Sequence, residues 1–168
     1  MLEPKSHAQG RNWLEELLRK IPGFRGYLEK SYRRESDALA RGHLAARLQD
    51  AKRTLTEWTR RLADGGQTAA LPECDRFRGR LDAAIGRIRG AMQGYSGVFD
   101  LVRVDEALLD RVYEHDMVLV EQVDALVAAV EKAAGEQLVP QTLGDLMAQT
   151  ALLDKSIAER SDMLKGLK

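Results

Sequence analysis

The chain has 168 residues, 44% hydrophobic and 31% charged, with 5% aromatics and four prolines; this is the size of one domain and the composition of long helices rather than of a sandwich or barrel. Its 26 Lys and Arg balance 26 Asp and Glu, so it lacks the basic excess of a dedicated nucleic-acid binder. A single cysteine, Cys74, leaves no internal disulfide and no cysteine-based zinc site within one chain, and the longest apolar run, Ala125 to Val130, is far short of the roughly 20 residues of a membrane span.

Residues 1–11 are polar, lack the apolar stretch of a signal peptide and read as disordered, which makes the cytoplasm the expected address. Residues 12–21 predict a short amphipathic helix. Trp13, Leu14, Leu17, Leu18 and Ile21 recur at spacings of three and four, and Pro22-Gly23 ends the pattern. This helix has three readings: it packs on the rest of the protein, it lies on a membrane surface with Arg19, Lys20 and Arg25 toward the headgroups, or it docks in a partner's groove. Packing is the preferred one, because Glu15 and Glu16 count against lipid. The tail and this helix form an N-terminal unit, residues 1–26, ahead of a helical bundle, residues 27–168.

A long helix is predicted from about Tyr27 to Asp64, ending at Gly65-Gly66. Leu44, Leu48, Ala51, Leu55, Trp58 and Leu62 alternate at steps of four and three, a coiled-coil type of seam. Its first third, with Arg33, Arg34, Glu35 and Asp37, is polar and reads as solvated or paired outside the bundle. After a loop over 65–71, Pro72 suits the first turn of a second helix, which carries Phe77, Leu81, Ile85, Ile88 and Met92. Gly79, Gly86 and Gly90 weaken that helix and are expected to admit another backbone closely. Gly94 to Asp100 breaks the pattern, and Tyr95 and Phe99 are expected to pin an ordered loop to the bundle.

A third helix, from about Asp105 to Ala134, presents Leu109, Val112, Asp116, Leu119, Val123, Leu126, Val130 and Ala133. Thr142 is expected to cap a fourth, with Leu143, Leu146, Thr150, Leu153, Ile157, Arg160, Leu164 and Leu167 on its apolar side. The short loops make two antiparallel hairpins. The fold expected is therefore all-α, an up-down bundle of four main helices with coiled-coil-like packing plus the short N-terminal helix. Charge is uneven along it. Residues 1–65 hold 14 Lys and Arg against 9 Asp and Glu, and residues 104–168 hold 6 against 13, so basic early helices should lie against acidic late ones.

The same helices carry no complete catalytic or metal-binding motif. A di-iron bundle needs Glu-x-x-His pairs, but Ala40 and Val112 stand three residues before His43 and His115. No His-Glu-x-x-His and no Walker-type glycine loop occurs. Ser96, in Gly94-Tyr95-Ser96-Gly97, lacks the full nucleophile elbow. Cys74 sits in a first helical turn, where a dipole could activate it, but an inert thiol is the expectation. Two charged residues interrupt apolar stripes, Asp116 and Arg160. Hairpin bookkeeping sets them opposite each other and near the height of residue 47. An ion pair in a polar layer with His43, and Tyr95 close by, is expected, with two outward-leaning side chains as the alternative.

Asn12-Trp-Leu-Glu-Glu-Leu-Leu with Ile21-Pro-Gly-Phe-Arg-Gly-Tyr27, and Gly94-Tyr-Ser-Gly-Val-Phe-Asp100 leading to Val104-Asp-Glu, then Leu109-Asp, together resemble an uncharacterised family of small bacterial helical proteins. The resemblance implies a bacterial origin and an all-helical fold and brings no activity with it. Function is thus expected to be non-enzymatic: an interaction or scaffold protein, with a protein partner or self-association, acting through helix surfaces and the loop of Gly94, Tyr95, Ser96, Gly97, Phe99 and Asp100. The alternatives are a peripheral membrane protein using the 12–21 helix and, third, a nucleic-acid binder using Arg33, Arg34, Arg41, Arg47 and Arg53. No cofactor, metal or small-molecule substrate is expected.

Overall fold

The computed structural model describes residues 4–90, 106–138 and 141–165. They form five α-helices: α1 Pro4–Lys20, α2 Lys30–Asp64, α3 Leu71–Gly90, α4 Glu106–Gly135 and α5 Thr142–Lys165. The fold is all-α, one short N-terminal helix on a bundle of four longer ones. The expected loop at 94–100, Met92 and Leu167 lie outside the described residues.

The heptad seam of α2 faces inward as its spacing demands. Leu44, Leu48, Ala51, Leu55, Trp58 and Leu62 are all buried, against Phe77, Leu81, Ile85 and Ile88 of α3 and the apolar stripes of α4 and α5. Helix α2 ends in a Schellman motif. Gln67 N–H donates to the Leu62 carbonyl at 2.8 Å and Gly66 N–H to that of Ala63 at 3.1 Å, with Gly66 at φ +76°, the left-handed conformation that glycine adopts without a Cβ penalty. A 3₁₀ turn, Thr68–Ala70, occupies the expected loop and leads into α3.

Helix α2 packs on α3 and α4, and α5 packs on the same two. Contacts between side chains fix the directions. Lys52 pairs with Asp82 of α3, so that hairpin is antiparallel, as is α4–α5 with Asp116 on Arg160. Asp124 accepts from Arg47, and the Ala134 carbonyl accepts from Arg61, so α2 and α4 run parallel. The bundle is up-down-up-down in direction, but α2 and α5 stand on one diagonal and α3 and α4 on the other. Sequence order alone does not distinguish this from a simple ring.

Four expectations are corrected. Residues 4–11 are helical rather than irregular: Pro4 is tolerated at a first helical position, and the helix that expectation began at residue 12 starts there. Thr142 is the first residue of α5, not its cap, because the Gln141 carbonyl already accepts from Asp145 N–H at 2.9 Å. Gly79, Gly86 and Gly90 face open space, with nothing within 4 Å of a Cβ placed there. The polar start of α2 is solvated on one side only: Arg34 and Glu35 are exposed, but Arg33, Ser36, Asp37 and Arg41 are buried. The chain after α1 covers them. Ile21, Phe24 and Tyr27 enter the same continuous core as the bundle.

Candidate functional site: a buried chain of charges

Tyr27 organises this end of the bundle. It is fully buried, stacks on Tyr113 of α4 at 5.4 Å between centroids and 14° between planes, and meets Phe24 edge to face. Such aromatic geometries add about 0.5–1.5 kcal/mol beyond area burial. Its backbone N–H donates to the Tyr113 hydroxyl at 2.7 Å. Its own hydroxyl donates to Asp116 Oδ2 at 2.5 Å. Arg33, one turn into α2, reaches back to the carbonyls of Tyr27 and Leu28 at 2.6 and 3.2 Å, satisfying backbone acceptors where the connecting segment enters the helix.

From Asp116 the network continues through three helices. Arg160 of α5 donates from Nε to Asp116 Oδ1 at 2.6 Å, and from Nη2 to Asp37 Oδ1 of α2 at 2.8 Å. Asp37 Oδ2 in turn accepts from Arg41, one turn along α2. The order Tyr27–Asp116–Arg160–Asp37–Arg41 alternates acceptors and donors, and each member is at least 93% buried. Burial pushes the Tyr27 phenol well above its ordinary value, and the neighbouring Asp116 carboxylate pushes it the same way. Burial alone would lower Arg160, but Asp116, Tyr27 and Asp37 more than offset it and hold its pKa well above the usual guanidinium value. Both groups are locked in their ordinary protonation states.

The structure brings Asp116 and Arg160 together and leaves His43 out. His43 is half-buried on the flank of α2, where its charged neighbours are Asp124, Arg47 and Lys20. Burial lowers its pKa, and the Asp124 carboxylate opposes that. The reason is helical geometry: residues 37, 41, 44 and 48 share the inward face of α2, and residue 43 is rotated toward α1. The height also differs from expectation. Arg61, not Gly65, reaches the end of α4, and the α2 side chain that joins the Asp116–Arg160 pair is Asp37 rather than His43. Tyr95 lies outside the described residues. Sequence reading missed Tyr27, Asp37 and Arg41. The Asp37/Arg41 spacing of one turn was a signal available in the sequence, but polar residues in a helix start usually mean solvent.

The other candidate residues fall into place around this core. Leu17 of α1 and Ile21 just after it are buried, Trp13 and Leu14 are partly buried against the core, and Leu18 is 46% exposed. The face a membrane would need is thus turned inward, and no helix among the described residues is long and apolar enough to cross a membrane. The proposed basic face of α2 is also not one surface. Arg33 and Arg41 point into the protein, and Arg47 and Arg53 pair with Asp124 and Asp50. Asp124 holds Lys20 of α1 at 2.9 Å as well as Arg47; burial would raise its carboxyl, but these two hydrogen bonds bring it below the usual range. Cys74 is buried, and burial pushes its thiol up although Thr59 opposes the shift. Among the described residues no group of three or more His, Cys, Asp or Glu is placed to hold a metal.

No family model, no curated protein and no solved structure matches this chain. The kinship suggested by its two sequence motifs therefore rests on those motifs alone, and the fold is read from the chain's own packing.

Proposed function

We propose that the chain is a non-enzymatic interaction protein: a stiff helical platform that offers its N-terminal stretch to a helix of a protein partner. The supporting observation is the placement of α1. It packs chiefly on α4, so its other side is left to solvent. Two of the three exposed large hydrophobic residues among those described, Leu18 at 46% and Leu28 at 65%, belong to this stretch. Both carboxylates of the buried site, Asp37 and Asp116, are committed to its arginines and to Tyr27, which favours a structural role for them. A cytoplasmic setting is part of this reading.

The test compares wild type with the double variant Leu18→Glu, Leu28→Glu, using Leu152→Glu as an equally exposed control on α5. Both variants should fold normally by circular dichroism. Partners captured from a bacterial lysate by wild type and by the Leu152 variant should be lost from the double variant. Light scattering decides whether the occupant is instead a second copy of the chain. Equal capture by all three proteins, with no change in mass, would remove the basis of the proposal.

A further inference from the structure

The charge chain ends asymmetrically. At one end the Tyr27 hydroxyl donates to Asp116. At the other, Arg41 gives only Nη2 to Asp37, and its Nε and Nη1 have no hydrogen-bond partner although the residue is 7% exposed. A buried guanidinium N–H without an acceptor costs more than a neutral donor in the same state, and buried polar groups that the protein leaves over are the ones ordered waters satisfy. Arg41 lines a small cavity. Ile21, Leu44, Ile88 and Leu119 form its apolar wall, and Asp116, Arg160 and Ser161 its polar side. The room for the centre of a water-sized guest is about 20 Å³, against the roughly 10–15 Å³ that one water requires.

We propose that this cavity holds one structural water, bound by Arg41, that links α2 a second time to the α4–α5 hairpin. Charge requires a neutral guest. Asp116, Arg160, Asp37 and Arg41 are joined by direct ion pairs and sum to zero, so an ion of either sign would add an unpaired charge to a buried cluster. Hydrogen-bonding capacity then selects water over an apolar guest or a dry void. The water oxygen accepts from Arg41 Nε or Nη1, and its two O–H groups meet acceptors on the wall. An ionised carboxylate has about four lone-pair sites, and Asp116 accepts one hydrogen bond from Tyr27 and two from Arg160, which leaves one site. The Ser161 hydroxyl supplies another acceptor. About three partners is the usual number for a buried water. The chain of direct contacts thus closes through the water, with Arg41 on α2 tied to Asp116 on α4 and to Ser161 on α5.

This site is internal and independent of any partner surface, and the whole chain serves for the test, which fills the cavity. Val120 is another residue of the wall, and Val120→Ile adds one carbon there, about the volume of a water. In a dry cavity the extra carbon would fill a void and raise the Tm. Where it displaces the water it strands the Arg41 donors, so the Tm should fall by about 2–8 °C. In Arg41→Met, which has no donors to strand, Val120→Ile should leave the Tm unchanged or raise it. Should Arg41→Met fail to fold, a crystal structure of the wild-type chain grown in sodium bromide decides. One water within about 3.2 Å of Arg41 Nε or Nη1, without anomalous signal, is the expected result. An unchanged or raised Tm for Val120→Ile in the wild type, an equal fall in both backgrounds, no density beside the guanidinium, or a bromide peak there would each overturn the proposal.

Discussion

Replacing Arg160 by methionine removes the centre of the buried network while keeping the length and much of the volume of the side chain. Asp37 retains Arg41. Asp116 loses its 2.6 Å partner and keeps only the Tyr27 hydroxyl, so one carboxylate is left buried without a cation. Breaking a buried pair in this way costs about 3–5 kcal/mol. For a chain of this size each kcal/mol shifts the Tm by about 2–4 °C, giving a fall of roughly 6–20 °C. The assay is urea unfolding followed by circular dichroism, with Lys52→Met as comparison. Lys52 pairs with Asp82 at the surface, where their side chains are 27% and 50% exposed, and such pairs contribute about 0–1 kcal/mol. In the double variant Arg160→Met, Asp116→Leu the orphaned charge is gone. Most of the lost stability should return, less about 1–3 kcal/mol for the Tyr27 hydroxyl left without an acceptor. If Arg160→Met costs no more than Lys52→Met, the network has no energetic meaning and the reasoning fails.

Alkaline pH should unfold the protein through Tyr27: its raised folded-state pKa means that above about pH 10 the unfolded chain loses the proton first. Stability present below that pH should then decline by about 1.4 kcal/mol per unit, and Tyr27→Phe should flatten the decline, as followed by urea midpoints between pH 8 and 11. Gly79→Ala and Gly86→Ala should each raise stability by up to about 1 kcal/mol, because both positions are helical and open; a loss in thermal melts would mean that something covers them. Gly26→Ala should cost more than Gly66→Ala, as read by the same melts. Both have positive φ, but a Cβ at Gly26 would meet the Tyr113 hydroxyl at 2.8 Å and Leu14 Cδ1 at 3.2 Å, whereas at Gly66 it would meet nothing; equal losses would show that backbone conformation alone decides.

What was legible in the sequence was whatever depends on periodicity. The α2 seam, the stripes of α3, α4 and α5, and the hairpin order follow from spacings that only one helix face can satisfy. The opposition of Asp116 and Arg160 followed from the same rule, since two short-looped antiparallel helices hold a constant residue sum at each level. The ring order did not follow, because a connection of 15 residues between Gly90 and Glu106 is long enough to reach either neighbour. Arg33, Asp37 and Arg41 were misread for a related reason. Charge at a helix start normally means water, and only the return of residues 21–27 over that start takes it out of water. Nothing local in α2 encodes a lid supplied by the preceding segment.

That lid explains why the charges sit where they do. Along the middle of the bundle the seams are apolar, and Leu, Val and Ile layers do little to forbid sliding of the parallel pair α2 and α4 by one turn, since each turn offers another apolar residue. A slide of one turn, about 5.4 Å, would carry Asp37 out of reach of Arg160, leaving Asp37 with Arg41 and Arg160 with Asp116 and breaking the charged link between α2 and the α4–α5 hairpin. The network therefore discriminates between registers even where desolvation cancels most of its net attraction. It also ties the N-terminal stretch to the same register, because the Tyr27 hydroxyl binds Asp116 and the Tyr27 N–H binds Tyr113, three residues away on the same face of α4. An N-terminal helix anchored at both the Tyr27 pair and the Lys20–Asp124 bridge presents its outer side in one orientation, which is what a docking surface on that side requires.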